Sequence, residues 1–489
     1  MIATGLARAF QFMLLLITLR VATALLPPSE MGKLAIITAT VSFFALLLIN
    51  PVGMFVNRRL YAWNEQGQGS KYLFYFSIYV FGVAIFSMII LLSFSSFLSF
   101  EKNISITTYL ALVACSILFG SLNQTSIPYL NMFGRHFWFG TLTLATTAAS
   151  LVLAFIAVSL AQRTAAWWFI GILSGQLLVG MCGLYLLRQT LNPTETHPIT
   201  NFPFSAEALR GFLNFSWPIS IAVSLGWVQS QSYRFVVEHS LGLHNLGLFA
   251  AGYGISAGLT AGFESMITTH FQSVFYRQVN ADQPGSADAA WHTYARSVLP
   301  SITLTAFLII GLAPQLTQLL LSEEYIGSYE YVMWGAVAEL TRIAIAVFAL
   351  FAHAKMATRI LIYPNLLGAV SALFLIWLFV QQYGITGIGP ALLLSSLCSL
   401  FLTVYITAQF TKIRISIRSA GLPILMGAAL ILVARAPYVY SAAQSNVGPM
   451  IFTLLVTGGL FCIFQAYLLA DALQIRSGID NFFKHHRHF

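Results

Sequence analysis

The sequence predicts an all-α polytopic membrane protein of about fourteen transmembrane helices, on three observations. Of 489 residues, 58% are hydrophobic and only 8% are charged, whereas a soluble domain carries about 25% charged residues. So few charges cannot cover a surface that faces water. The apolar residues also gather into runs of about 20, the length of a bilayer-spanning helix. These runs are too long and too uniform for barrel strands, which alternate in polarity over about ten residues. Finally, the basic residues collect on one side of the runs, as the positive-inside rule demands.

The first six runs cover about 4–26, 34–56, 72–100, 107–131, 137–160 and 166–187. The first contains Arg20 and is followed by no small-residue cleavage site, so it reads as a retained helix and not as a signal peptide. The next six cover about 212–237, 246–273, 297–321, 331–352, 360–380 and 386–409. A last pair covers about 419–438 and 447–470, the former shortened by Pro423, Arg435 and Pro437. The expected organisation is a six-helix lobe over 1–200, a second over 201–410, and a helix pair with a basic tail over 411–489.

With the N-terminus in the cytoplasm, four of the 24 Lys and Arg residues fall outside: Lys33, Lys102, Arg163 and Arg435. Arg8, Arg20, Arg234 and Arg342 sit within spans, which leaves sixteen on the cytoplasmic side. The net charge of +9 is therefore a topology signal, and no nucleic-acid partner is needed to explain it. Both termini are expected in the cytoplasm. Cysteines placed at Ser322 and Gln444 should react with an impermeant maleimide from outside, and cysteines at Ser70 and Ser286 should not. Outside labelling at Ser286 would break the fourteen-span topology.

The loops exclude several function classes. No G-x-x-x-x-G-K-[ST] phosphate loop occurs, which removes a nucleotide-driven pump. Asp282 and Asp288 are the nearby aspartates of one loop and read as solvated, so no metal-dependent glycosyltransferase is expected. The large external loop of a polysaccharide polymerase or ligase is missing, and an enzyme is not expected. Cys115, Cys182, Cys398 and Cys462 lie in apolar runs and read as small buried hydrophobes. Trp63, Trp167, Trp168, Trp217 and Trp291 stand near span ends, as an interfacial belt would. The three histidines of the C-terminal tail, in a basic context, read as a segment on anionic lipid and not as a metal site.

Ionisable groups inside a bundle are costly and mark pathways or binding sites. Arg20 falls about 8 Å and Arg234 about 12 Å outward of the midplane, at 1.5 Å per residue. They occupy the first helix of each six-helix set, a weak internal symmetry of the kind that encloses a central site. Arg8 lies closer to the cytoplasmic surface, within reach of snorkelling. Glu339 and Arg342 are three residues apart near the midplane and share a helix face, so an ion pair is expected. Glu264 is about 18 Å in depth from Arg234 and is expected to be unpaired, free to load a proton or cation. Gly254, Gly258 and Gly262, at four-residue spacing on the same helix, are expected to pack closely on a neighbour, as are Gly171 and Gly175.

Arg20 and the following Leu25-Leu26-Pro27-Pro28-Ser29-Glu30-Met31-Gly32 resemble the R-x-L-G-P-x-x-Y-G opening of Wzx-type oligosaccharide flippases. The stretch Asn50-Pro51-Val52-Gly53-Met54-Phe55-Val56-Asn57-Arg58-Arg59 is similar too, as are Ser230-Gln231-Ser232-Tyr233-Arg234-Phe235 and Leu246-Gly247-Leu248-Phe249-Ala250-Ala251-Gly252-Tyr253. The likeness covers about residues 1–410 and extends to the multidrug/oligosaccharidyl-lipid/polysaccharide exporter superfamily. Tyr233 stands where many relatives have Asp, which removes a charge partner from Arg234.

The resemblance implies two six-helix lobes in a V around a central cavity, working by alternating access. The implied cargo is an undecaprenyl-diphosphate-linked oligosaccharide, an O-antigen unit or a similar polysaccharide unit, moved to the periplasmic leaflet of a bacterial inner membrane. Arg suits an anionic diphosphate because its planar fork holds two oxygens at once. Arg20, Arg234, Arg342, Arg8 and Arg58 are the expected substrate contacts. Glu264 and Glu339 are the expected ion-coupling groups, with H⁺ or Na⁺ as the coupling ion and no other cofactor. Membrane lipid, a polysaccharide polymerase and a chain-length regulator are the expected partners. A multidrug exporter of the same superfamily and a non-transporting scaffold of a polysaccharide machine are the alternatives.

Overall fold

A computed structural model of the chain describes residues 2–94, 105–191, 206–279, 286–354, 358–411, 413, 417–440 and 447–472. Every expected span is helical over most of its described residues, and no strand occurs among the described residues. Among the described residues, ten stretches are long and apolar enough to cross a membrane, two of which, 216–268 and 359–410, are long enough for a pair of spans. The shorter apolar helices Phe10–Leu25 and Ala420–Ala436 complete the set. The C-terminal histidines lie outside the described residues.

The chain divides into compact units at Met1–Leu248 and Phe249–Phe489. The first holds α1 (Ile2–Leu25), α2 (Pro28–Phe44), α3 (Asn50–Glu65), α4 (Gly69–Ser93), α5 (Ile106–Met132), α6 (His136–Leu160), α7 (Ala165–Thr190) and α8 (Ala206–Gln231). It also holds the start of α9 (Tyr233–Val279), which bends at Gly242. Gly242 has φ 81° and ψ 170°, a backbone state open essentially to glycine alone. The helix expected to open the second lobe, α8, thus packs here against α2 and α3 of the first unit.

The expected loop at 27–33 is instead the first turns of α2. Pro28 is tolerated at that start because it needs no N–H bond there. Glu30 then serves another helix: its Oε2 accepts the backbone N–H of Ala165 at 2.7 Å, where Thr164 offers α7 no side-chain cap. Lys33 Nζ donates to Glu30 Oε1 at 2.6 Å and holds that carboxylate. A π-helical turn, Ala45–Ile49, joins α2 to α3. The ring of Pro51 would clash with the carbonyl four residues back, at Leu47, and the wide turn at that point makes room.

Small residues set the helix separations of the first unit. A Cβ on Gly171 would strike the Ala154 backbone, and one on Gly175 would stand 2.5 Å from the Ser150 nitrogen, so α6 and α7 approach as expected. Asn123 of α5 joins both neighbours, its Nδ2 donating to Thr146 Oγ1 at 3.1 Å and to the Gln176 carbonyl at 3.4 Å.

The second unit continues α9 and adds α10 (Ser286–Gly311), α11 (Ala313–Leu320), α12 (Tyr329–Ala354), α13 (Ile362–Tyr383), α14 (Ile388–Phe410), α15 (Ile417–Tyr440) and α16 (Val447–Ala472). Helix α12 packs on α10 and α14, and α15 and α16 lie against α10. The expected packing of the glycine stripe on α9 does not occur: open space stands where a Cβ of Gly254 or Gly258 would be. The close approaches fall instead at Gly252, opposite Ser328, and at Gly335, opposite Ser256.

Large apolar side chains ring the outside. Phe74, Ile78, Phe81 and Ile85 form an exposed stripe along α4 at helical spacing, the surface a lipid-facing helix presents. The cysteines follow that pattern and correct the expectation of burial: Cys182, Cys398 and Cys462 are exposed and Cys115 half-buried. Lipid supplies the apolar surroundings that a core supplies in water. The tryptophan belt is also corrected, because Trp168 and Trp291 are fully buried and Trp291 Nε1 donates to the Val347 carbonyl at 3.0 Å.

Candidate functional site: a charge triad between helices

The second unit contains a three-charge cluster between α9 and α12. Gly335 admits Ser256, whose Oγ donates to the Val332 carbonyl at 2.5 Å, and this draws the two helices together. Further along, Tyr253 OH donates to Glu339 Oε1 at 2.8 Å. Arg342 Nε donates to Glu339 Oε2 at 2.7 Å, so both oxygens of that carboxylate are satisfied. The expected Glu339–Arg342 ion pair is therefore present.

The expectation that Glu264 is unpaired is overturned. Arg342 Nη2 donates to Glu264 Oε2 at 2.7 Å, so one guanidinium bridges two carboxylates 75 residues apart in sequence. Both bonds are short and charge-assisted. Two acids against one base leave one negative charge in excess, so Arg342 is already neutralised and not free for an anion. The side chain of Glu339 is 8% exposed, that of Glu264 24% and that of Arg342 45%. Access to the triad is thus through Arg342 and Glu264, and Glu264 Oε1 has no donor among the described residues.

The first unit places the remaining cations differently. Arg20 is exposed on α1, in one stripe with Met13, Ile17 and Ala24. No hydrogen bond or ion pair to its guanidinium occurs among the described residues. An unpaired guanidinium in an apolar stripe at membrane depth calls for an anion or water. Arg234 is half-buried and engaged: Nη1 donates to the Ala35 carbonyl at 2.7 Å and to Thr38 Oγ1 at 3.2 Å. Its Nε donates to Tyr233 OH at 3.3 Å, so the tyrosine that replaces an acid still partners the arginine. Trp227 Nε1 donates to the Ala39 carbonyl at 3.1 Å and to Ser42 Oγ at 2.9 Å, a second fastening onto α2. Arg58 is exposed near the end of α3, and Arg59 lies over the Phe55 ring at 4.7 Å. The side chain of Arg8 lies outside the described residues.

Sequence reasoning therefore found Glu339, Arg342 and Glu264 but not their union, and it missed Tyr253. The signal for the union was the glycine and serine content of α9 and α12, which sets how near the two helices come.

The fold matches solved transporters. It is similar to a lipid II flippase, MurJ, in an inward closed conformation, with TM-score 0.68, 13% identity, and coverage of 96% of this chain and 99% of that one. It is also similar to a multidrug resistance MATE family transporter of the MOP superfamily in its inward-facing conformation, with TM-score 0.58, 14% identity, and coverage of 83% and 95%. The outward-facing form of such a transporter matches with TM-score 0.51 and 12% identity over 83% of this chain and 93% of that one. No curated protein sequence matches the chain. The model of the polysaccharide biosynthesis protein family matches residues 21–330, well over half of the chain, and the chain belongs to that family.

Proposed function

We propose that this protein is a flippase for undecaprenyl-diphosphate-linked oligosaccharide repeat units, moving them from the cytoplasmic to the periplasmic leaflet of a bacterial inner membrane. The observation that carries the reading is a polysaccharide biosynthesis family match in a chain built of apolar helices with a flippase-like fold. Arg20 meets the diphosphate, and the polyprenyl tail stays in lipid. Polymerase and chain-length regulator are the downstream partners in this reading, and O-antigen or a similar polymer is the product.

Energy comes from an ion gradient in this scheme, with H⁺ or Na⁺ loading at Glu264 Oε1 and releasing on the other side. In proteoliposomes, Glu264→Gln should abolish the gradient dependence of lipid-linked oligosaccharide flipping while leaving substrate binding intact. Glu339→Gln should lower thermal stability instead, because Glu339 is closed to water and accepts from both Tyr253 and Arg342. Flipping by the wild type that ignores collapse of both gradients would remove ion coupling. A protein that flips no lipid-linked oligosaccharide would remove the flippase reading itself. The excess negative charge of the triad favours a second reading, export of cationic drugs; ethidium efflux with no oligosaccharide flipping would select it.

A further inference from the structure

Away from the triad, the second unit holds a cavity of about 440 Å³ between α11, the start of α12 and the end of α15. That volume falls within the ~300–1,000 Å³ of small-molecule sites. This half-open space is lined by Gln315, Tyr329, Glu330, Met333, Trp334 and Arg435, beside Pro314. In the topology set by the basic residues, this is the outer end of the bundle.

Three polar side chains line this space. Among the described residues Arg435 Nη2 donates only to the Met333 sulfur, at 3.1 Å, and a thioether is a weak acceptor. Glu330 faces the same cavity, yet among the described residues it forms no ion pair with Arg435 or any other base. Gln315 is 1% exposed, and its Nε2 is held by the Ala434 carbonyl at 3.0 Å. That bond fixes the amide and leaves Oε1 buried without a donor. A buried acceptor without a donor is costly.

We infer that this cavity is a binding site for a neutral sugar unit, a mono- or disaccharide portion of a glycan, at the outer face. A sugar carries hydroxyls that donate and accept on the same molecule, which suits one guanidinium and one carboxylate set around a single space. Its C–H faces suit the rings of Trp334 and Tyr329. A cationic ligand is opposed by Arg435 and an anionic one by Glu330. The choice of a sugar over a zwitterionic lipid headgroup rests on the polysaccharide reading above. The site then holds the glycan of a unit that has already crossed.

Glu330 and Arg435 are exposed, so variants at both should fold. The full-length protein in nanodiscs is titrated with the host's repeat-unit oligosaccharide, freed from its lipid by mild acid, and followed by saturation-transfer NMR. Binding by the wild type is expected, weakened about tenfold or more in Glu330→Gln and in Arg435→Gln. Trp334→Leu should also weaken it, with thermal melting to verify that this more buried variant is folded. No binding by the wild type, or unchanged binding in both charge variants, overturns the site. Phosphatidylethanolamine that co-purifies with the wild type and is lost from Glu330→Gln, with no oligosaccharide binding, overturns it in favour of a lipid headgroup. Flipping of the lipid-linked unit is measured on the same samples. Free-sugar binding without flipping sustains the site and removes the flippase reading, and flipping without free-sugar binding does the reverse.

Discussion

Arg342→Met should lose ~2–4 kcal/mol of stability, somewhat less than the ~3–5 kcal/mol for breaking a fully buried pair, because Arg342 is partly open to water. The variant keeps Glu264 and Glu339 facing the space left by their shared counter-charge, and each carboxylate loses a 2.7 Å charge-assisted bond. Glu339 is nearly closed to solvent and cannot recover its hydration. The triple variant Glu264→Gln, Glu339→Gln, Arg342→Met removes charge altogether and should regain most of the loss, since neutral replacements for buried ion pairs are often tolerated. Thermal melting of detergent-purified protein reads both. A melting temperature for Arg342→Met equal to wild type would mean that the triad is solvated and structurally unimportant.

Arg20→Ala should reduce repeat-unit export by about 10- to 150-fold, with expression and melting unchanged. Hydrogen bonds to a charged group contribute ~1.5–3 kcal/mol, and each ~1.4 kcal/mol is a factor of ten in rate. Stability should not change, because no described partner engages this guanidinium. Arg20→Lys should recover export only in part, since a point charge cannot grip two phosphate oxygens. Arg234→Ala gives the contrast. Its side chain fastens α9 to the Ala35 carbonyl and Thr38, so its first effect should be a lower melting temperature. Full export by Arg20→Ala would exclude it from substrate binding.

The spans were legible because lipid imposes length: an apolar run of about 20 residues has few other fates. The Glu339–Arg342 pair was legible for a similar reason, since three residues along a helix bring side chains to one face. Long-range partners were not. Glu264 meets Arg342 across a helix contact at which Gly335 accepts Ser256, and the glycine and serine that permit the contact do not say which charged groups it pairs. Trp168 and Trp291 misled for another reason: a tryptophan near a span end reads alike whether it faces headgroups or its own bundle. The glycines of α9 misled in the same way, because a small residue permits close approach without causing it. The pocket of Gln315, Glu330 and Arg435 draws on three separate helices and has no local signature at all.

The π-helical turn at Ala45–Ile49 carries a consequence for how this segment tolerates changes in length. Such a turn holds one residue more than an α-helical turn and acts as an insertion absorbed without a loop. Losing one residue there would close the wide turn to an α-helical one and leave every later side chain of α3 near its present phase, with Val56 and Leu60 still buried. The loss would fall on Pro51, whose ring would then meet the carbonyl four residues back. A one-residue deletion further along α3 has no wide turn to take it up, and every later side chain would swing by about 100°, the angle between successive residues. In this segment a change of length is borne best at the turn itself.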